Sequence, residues 1–276
     1  MKTNSRRKNP ENRPFFALNH HGLPNSCIYI GGGLGIAKTR REAGKMTNYE
    51  DFGNGTVQAG AAAPRRVGKR GAVACFSAGT RILTPQGQRA VETLVPGDKV
   101  MTRDHGLQTL RWIGCRHVAA DELAEHDSLR PVRIEKGALG PNMPDRDLLV
   151  SPEHRVMVAG NHVEAVLGTE EGLVSAKDLV GRPGITVETM EEVIYYHLLF
   201  DDHELVLSEG AWTESFLPGI SAFNGLDVEA ADELFRLFPE LQYVPSPFKP
   251  ARPSINPEVA RLLREVNESL TPVLGA

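Results

Sequence analysis

The chain has 276 residues, 41% of them hydrophobic, which suits one or two domains with a real core. Charge is unevenly spread: residues 1–74 carry 13 Lys+Arg against 4 Asp+Glu, so the rest is strongly acidic beneath a net charge of −4. A basic tail on an acidic globule argues against nucleic acid as a partner, because phosphate binding needs clustered cations. No apolar stretch approaches bilayer-spanning length, so no transmembrane segment is expected. The three cysteines, Cys27, Cys75 and Cys115, show no CxxC spacing, which excludes a disulfide scaffold and a cysteine zinc site.

Residues 1–74 read as a flexible basic segment. "MKTNSRRKNPENRPFF" is polar, and "GNGTVQAGAAAPRRVGKRG" is too poor in apolar surface to offset chain entropy. The glycine run Gly31–Gly35 lacks a GxGxxG pattern with a following helix. Met46 offers an alternative start, which would make residues 1–45 a mis-called leader. The basic N-terminus has no apolar core with a cleavage site, so no Sec signal is read. Cytoplasm is the default location, with export by a non-Sec route left open.

From residue 72 the texture changes to short apolar, β-branched runs. Pro-Gln-Gly, Pro-Gly-Asp and Asp-His-Gly interrupt them at 85–87, 96–98 and 104–106. Turn signals at this spacing predict an all-β domain rather than βαβ units. Residues 193–207 predict two strands joined at Asp201–Asp202, and "VSAKDLVG" a short helical piece. After Pro218, "DVEAADELFRLFPEL" has helical periodicity with Asp227 as N-cap. "NPEVARLLREVNESL" predicts a second amphipathic helix with Asn256 capping and Pro257 at its first position. The division expected is a basic segment over 1–74, a β domain over 75–218 and a helical, proline-rich extension over 219–276.

Three stretches carry a resemblance. "CFSAGTRILTPQGQRAVETLVPGDKVMT" (75–102) opens with Cys, a small-residue turn and a V-E-x-L-x-x-G-D-x-V pattern. "LLVSPEHRVMV" (148–158) resembles a T-x-x-H block, with Ser151 in the Thr position and His154 in the His position. "VIYYHLLFDDHELVLSEGAWTESF" (193–216) resembles a pair of late strands. Together they resemble the Hint family, the self-processing domain of hedgehog proteins and inteins, and most of all bacterial intein-like proteins. The resemblance covers about half the chain and implies a horseshoe of short strands. An intein ends in His-Asn before Cys, Ser or Thr, whereas the corresponding end here is "GAWTESF", so full splicing is not expected. His197 stands where many inteins carry Asp.

The family reaction is an N-to-S acyl shift, here with Cys75 attacking the Ala74 carbonyl. The amide would become a thioester, and its cleavage would release the N-terminal segment, the domain's own substrate. The acceptor would be water or a small nucleophile, and no metal or organic cofactor is required. The thiol is intrinsically a good nucleophile. The departing nitrogen needs a proton, for which His154 is the candidate. Ser151 would hold the scissile bond or the developing oxyanion. His203 is the candidate base for the second step, and His197 a further candidate for orienting the site. Taken alone, Cys75 reads as a small buried residue. The alternative function is therefore a non-catalytic β-rich module working by display or interaction.

Overall fold

A computed structural model describes residues 73–223, 226, 228–238, 241, 248–265 and 270. The basic segment through residue 72, with Cys27 and the Met46 start, lies outside the described residues, as does Asp227. The strands of the first half are β1 (Phe76–Ser77), β2 (Arg81–Thr84), β3 (Gly87–Ala90), β4 (Lys99–Thr102), β5 (Gly106–Thr109), β6 (Trp112–Val118) and β7 (Val132–Ile134). Those of the second half are β8 (Leu148–Val150), β9 (Arg155–Ala159), β10 (Glu171–Ser175), β11 (Ile185–Val187), β12 (Val193–Leu199), β13 (Leu205–Ser208) and β14 (Ala211–Glu214). Short helices interrupt them: α1 (Ala120–Glu125), α2 (Asn161–Leu167) and α3 (Ala176–Leu179). Three more follow the last strand: α4 (Ile220–Phe223), α5 (Val228–Leu237) and α6 (Pro257–Glu265).

The strands form two antiparallel sheets. One runs β11-β7-β8-β1-β12-β6, and the other β10-β9-β14-β13-β2-β3, with β4 and β5 joined to it through β13. The domain is all-β, as its turn spacing predicts. The turn residues explain why so many short strands suit this chain. Pro85–Gln86 links β2 to β3, and Arg103–His105 links β4 to β5. Glu209 and Gly210 both take positive φ, 45° and 76°, between β13 and β14. That backbone matches the right-handed twist of a two-residue hairpin. Glu209 is an unusual residue there, and its carboxylate accepts the Arg81 N–H at 2.8 Å.

Alternating positions such as Ile82, Val100, Val132, Ile134, Leu148 and Val150 are fully buried and join one apolar cluster. Each such side chain contributes about 1.5–3 kcal/mol on burial. β12 and β13 are the two strands expected on either side of Asp201–Asp202, and they lie in different sheets: β12 pairs with β1 and β6, β13 with β14, β2 and β4. The chain passes from one sheet to the other through Phe200–Glu204, so alternation across Asp201–Asp202 carries no register.

Helix α6 arises as its cap dictates. Asn256 Oδ1 accepts the Val259 N–H at 2.9 Å and opens α6, with Pro257 leading it. Just before α6, the chain runs along β10: the Leu173 N–H donates to Pro253 O at 2.9 Å, and the Ile255 N–H to Leu173 O at 2.7 Å. Arg252 pins this strap by pairing with Asp104 and Glu171, each at 2.7 Å.

Candidate functional site

The short strand β1 puts Cys75 at the junction of three strands. Its flanks pair with β12 and β8 at Phe76, and the Ser151 N–H donates to the Cys75 carbonyl oxygen at 3.0 Å. The turn after β8 presents Ser151 and His154, closed by the His154 N–H donating to Ser151 O at 3.0 Å. Pro152 biases Ser151 towards an extended backbone.

Every polar part of the Ala74–Cys75 peptide has a partner. The Cys75 N–H donates to Ser151 Oγ at 3.0 Å, and the Ser151 hydroxyl donates to Val73 O in a short bond. His197 Nδ1 lies 3.0 Å from the Ala74 carbonyl oxygen. A carbonyl only accepts, so Nδ1 carries the proton and Nε2 presents its lone pair. That Nε2 lies 3.7 Å from Cys75 Sγ. The thiol therefore has two acceptors in reach, His197 Nε2 and, at 3.0 Å, Val73 O.

Electrostatics keep this group of atoms neutral. Cys75 is a free thiol, and burial pushes its pKa up to about 12, against the pull of Ser151 and Arg116. Burial also lowers His197 from 6.5 to about 4, against the pull of the Ala74 carbonyl. A cleft lined by Cys75, Arg116, Leu129, Ser151, Tyr195 and His197 opens beside the sulfur, with room for roughly one water.

The other two predicted histidines sit differently. His154 is fully buried, edge-on to Phe76 with ring centroids 4.5 Å apart, and neither ring nitrogen makes a hydrogen bond. Burial lowers its pKa to about 4, although Glu214 and the Cys75 carbonyl pull upward. His203 does not line the Cys75 cleft. Its Nδ1 accepts the Ala251 N–H at 2.9 Å, and its Nε2 lies 3.5 Å from Glu214. It follows the end of β12 and enters the opposite sheet, so it does not share a strand face with His197.

Three residues of this region were missed as site candidates. Arg116 faces the cleft from β6, directly across from Tyr195. Glu214 is fully buried and accepts both the Arg155 N–H, at 2.9 Å, and the Arg155 guanidinium, at 3.1 Å. Burial raises its carboxyl, but His203, Arg155 and His154 together hold it below its ordinary value. Trp112 reads from sequence as core or surface anchor, yet it lies parallel to His197 at 6.3 Å and 11°. The signal for Trp112 was Gly114 two residues on, opposite His197 in the β6–β12 register. A Cβ there would come within 2.2 Å of the indole. Gly114→Ala is therefore expected to cost about 1–3 kcal/mol as the indole is displaced. A urea midpoint equal to that of the parent would show that the ring moves freely.

Among the described residues, no group of three or more His, Cys, Asp or Glu could hold a metal ion. No helix among them is long and apolar enough to cross a membrane.

A search of curated proteins found no match. The fold is similar to the bacterial intein-like domain from Clostridium thermocellum, at 18% identity, 51% of this chain, 97% of that one and a TM-score of 0.34. It is also similar to the gp41-1 intein, at 12% identity, 51% of this chain, 97% of that one and a TM-score of 0.31. The Hint domain family model matches residues 74–220, more than half of the 276 residues. The chain belongs to the Hint domain family of self-processing domains.

Proposed function

We propose that this domain cleaves its own chain at Ala74–Cys75 through an N-to-S acyl shift, without splicing. The observation that carries the reading is His197, with one ring nitrogen on the scissile carbonyl and the other facing the sulfur. In the first step the Cys75 S–H gives its proton to His197 Nε2 as Sγ bonds to the Ala74 carbonyl carbon. The oxygen that gains charge already holds the His197 Nδ1–H, which stabilises it. The C–N bond then breaks, and the proton on Nε2 passes to the Cys75 nitrogen. The products are a thioester at Ala74 and a free amine at Cys75.

Ser151 orients the departing nitrogen through the bond it accepts from the Cys75 N–H. A neutral imidazole beside a neutral thiol makes the proton transfer simultaneous with attack, because neither group is ionised at neutral pH. His197 therefore takes the central role that sequence reasoning gave to His154. His154 remains a buried neutral neighbour whose nitrogens touch no reacting atom by a hydrogen bond. Water suits the second step, because the cleft beside the sulfur is of water size. Its attack frees the Ala74 carboxylate and restores the Cys75 thiol.

The test uses the full chain incubated with a strong thiol and followed by intact mass. Thiol-accelerated loss of residues 1–74, absent from Cys75→Ala, is the expected result. A folded chain that stays intact overturns the reading and favours the display module. Cleavage within Arg65–Arg70 that survives Cys75→Ala identifies an outside protease.

A further inference from the structure

The helices beyond residue 220 lie outside the matched domain, yet one of them reaches the site. Trp112 is 1% exposed and fills the space over Gly114, against the face of the His197 imidazole. Phe216 closes the same imidazole edge-on, with centroids 5.4 Å apart. The His197 ring is thus held by two aromatic neighbours, and its angle depends on where they sit. A buried indole N–H can only donate and needs an acceptor. That acceptor is Glu233 on α5, whose Oε2 lies 3.0 Å from Trp112 Nε1. The next residue, Leu234, is fully buried in the apolar cluster that contains Val73, Cys75 and Trp112. Helix α5 is therefore anchored at this point by packing and by one polar bond.

We infer that Glu233 is a positioning residue for His197, acting through Trp112, and that the C-terminal extension is part of the processing site. The inference rests on the cleavage reading for its kinetic consequence, though not for its structural one. Fixing the indole fixes the imidazole plane, which sets the aim of Nδ1 at the Ala74 oxygen and of Nε2 at Sγ. Small errors of aim cost rate steeply at such sites.

Two measurements on the full chain test it. The first uses Cys75→Ala, which keeps the bond intact whether or not the domain is active. In that background Glu233→Ala should shift the NMR signals of the His197 ring and the Trp112 indole N–H. Glu233→Gln, which keeps an acceptor oxygen, should restore them. The second uses the chain with Cys75 present: Glu233→Ala should slow thiol-induced cleavage roughly three- to tenfold, the scale of one lost hydrogen bond. The same change made on Trp112→Phe, which lacks the donor, should have no further effect. His197 signals unmoved by Glu233→Ala overturn the inference, and so does an undiminished Glu233→Ala effect in the Trp112→Phe chain. If the parent never cleaves, the cleavage reading fails, and the NMR comparison still decides the positioning role.

Discussion

His197→Gln should slow cleavage before Cys75 by about 10²–10⁴-fold, the range expected when a general base is removed. Glutamine is an informative choice. Its side-chain amide can still donate to the Ala74 oxygen that Nδ1 now meets at 3.0 Å. It cannot take up a proton in place of Nε2, so the loss isolates the base from the oxyanion contact. His154→Gln should cost much less, because neither His154 nitrogen bonds a reacting group. The measurement is the first-order rate of thiol-induced cleavage for the three chains, with circular dichroism to establish folding. A larger loss in His154→Gln than in His197→Gln would reverse the assignment and return proton delivery to His154.

Acid should destabilise the fold well before most carboxylates titrate. His154 and His197 are both buried and both lowered from 6.5 to about 4. Between those values the unfolded chain binds protons that the folded chain refuses. Stability is therefore full above about pH 6.5, declines as pH falls, and levels off once pH drops below about 4. Each histidine accounts for on the order of 3 kcal/mol across that window. The pair together would remove much of the roughly 5–15 kcal/mol typical of a domain. Glu214, held below its ordinary value, adds a loss of the same sign only at still lower pH. Urea midpoints of Cys75→Ala at pH 7, 5.5 and 4.5 measure this. His197→Leu in that chain should flatten the slope, whereas a midpoint constant from pH 7 to 4.5 would contradict the burial of both rings.

The strands were legible because their punctuation is chemical. Pro85, Gly97 and Gly106 end apolar runs wherever the chain turns, and Asn256-Pro257 announces α6. The roles of the histidines were harder to read. Period-two alternation stops at Leu199, so sequence spacing could not tell that His197 and His203 belong to different sheets. His197 was the weaker sequence candidate because its case rests on Ala74 and Cys75, more than 120 residues away, meeting it across β1 and β12. Glu214 and Glu233 were invisible for a related reason. A carboxylate gains its meaning from what it touches, and Arg155 and Trp112 come to them only through sheet pairing and helix docking.

The strap over Leu173 has a consequence beyond holding α6 in place. β10 is the outer strand of its sheet, and an uncovered outer strand is a template for pairing with another chain. Residues 253–255 pair with that margin at Leu173, and Arg252 locks them there with Asp104 and Glu171. The C-terminal extension thus covers the outer margin of β10 at Leu173, a margin that a chain cut after residue 220 would leave uncovered.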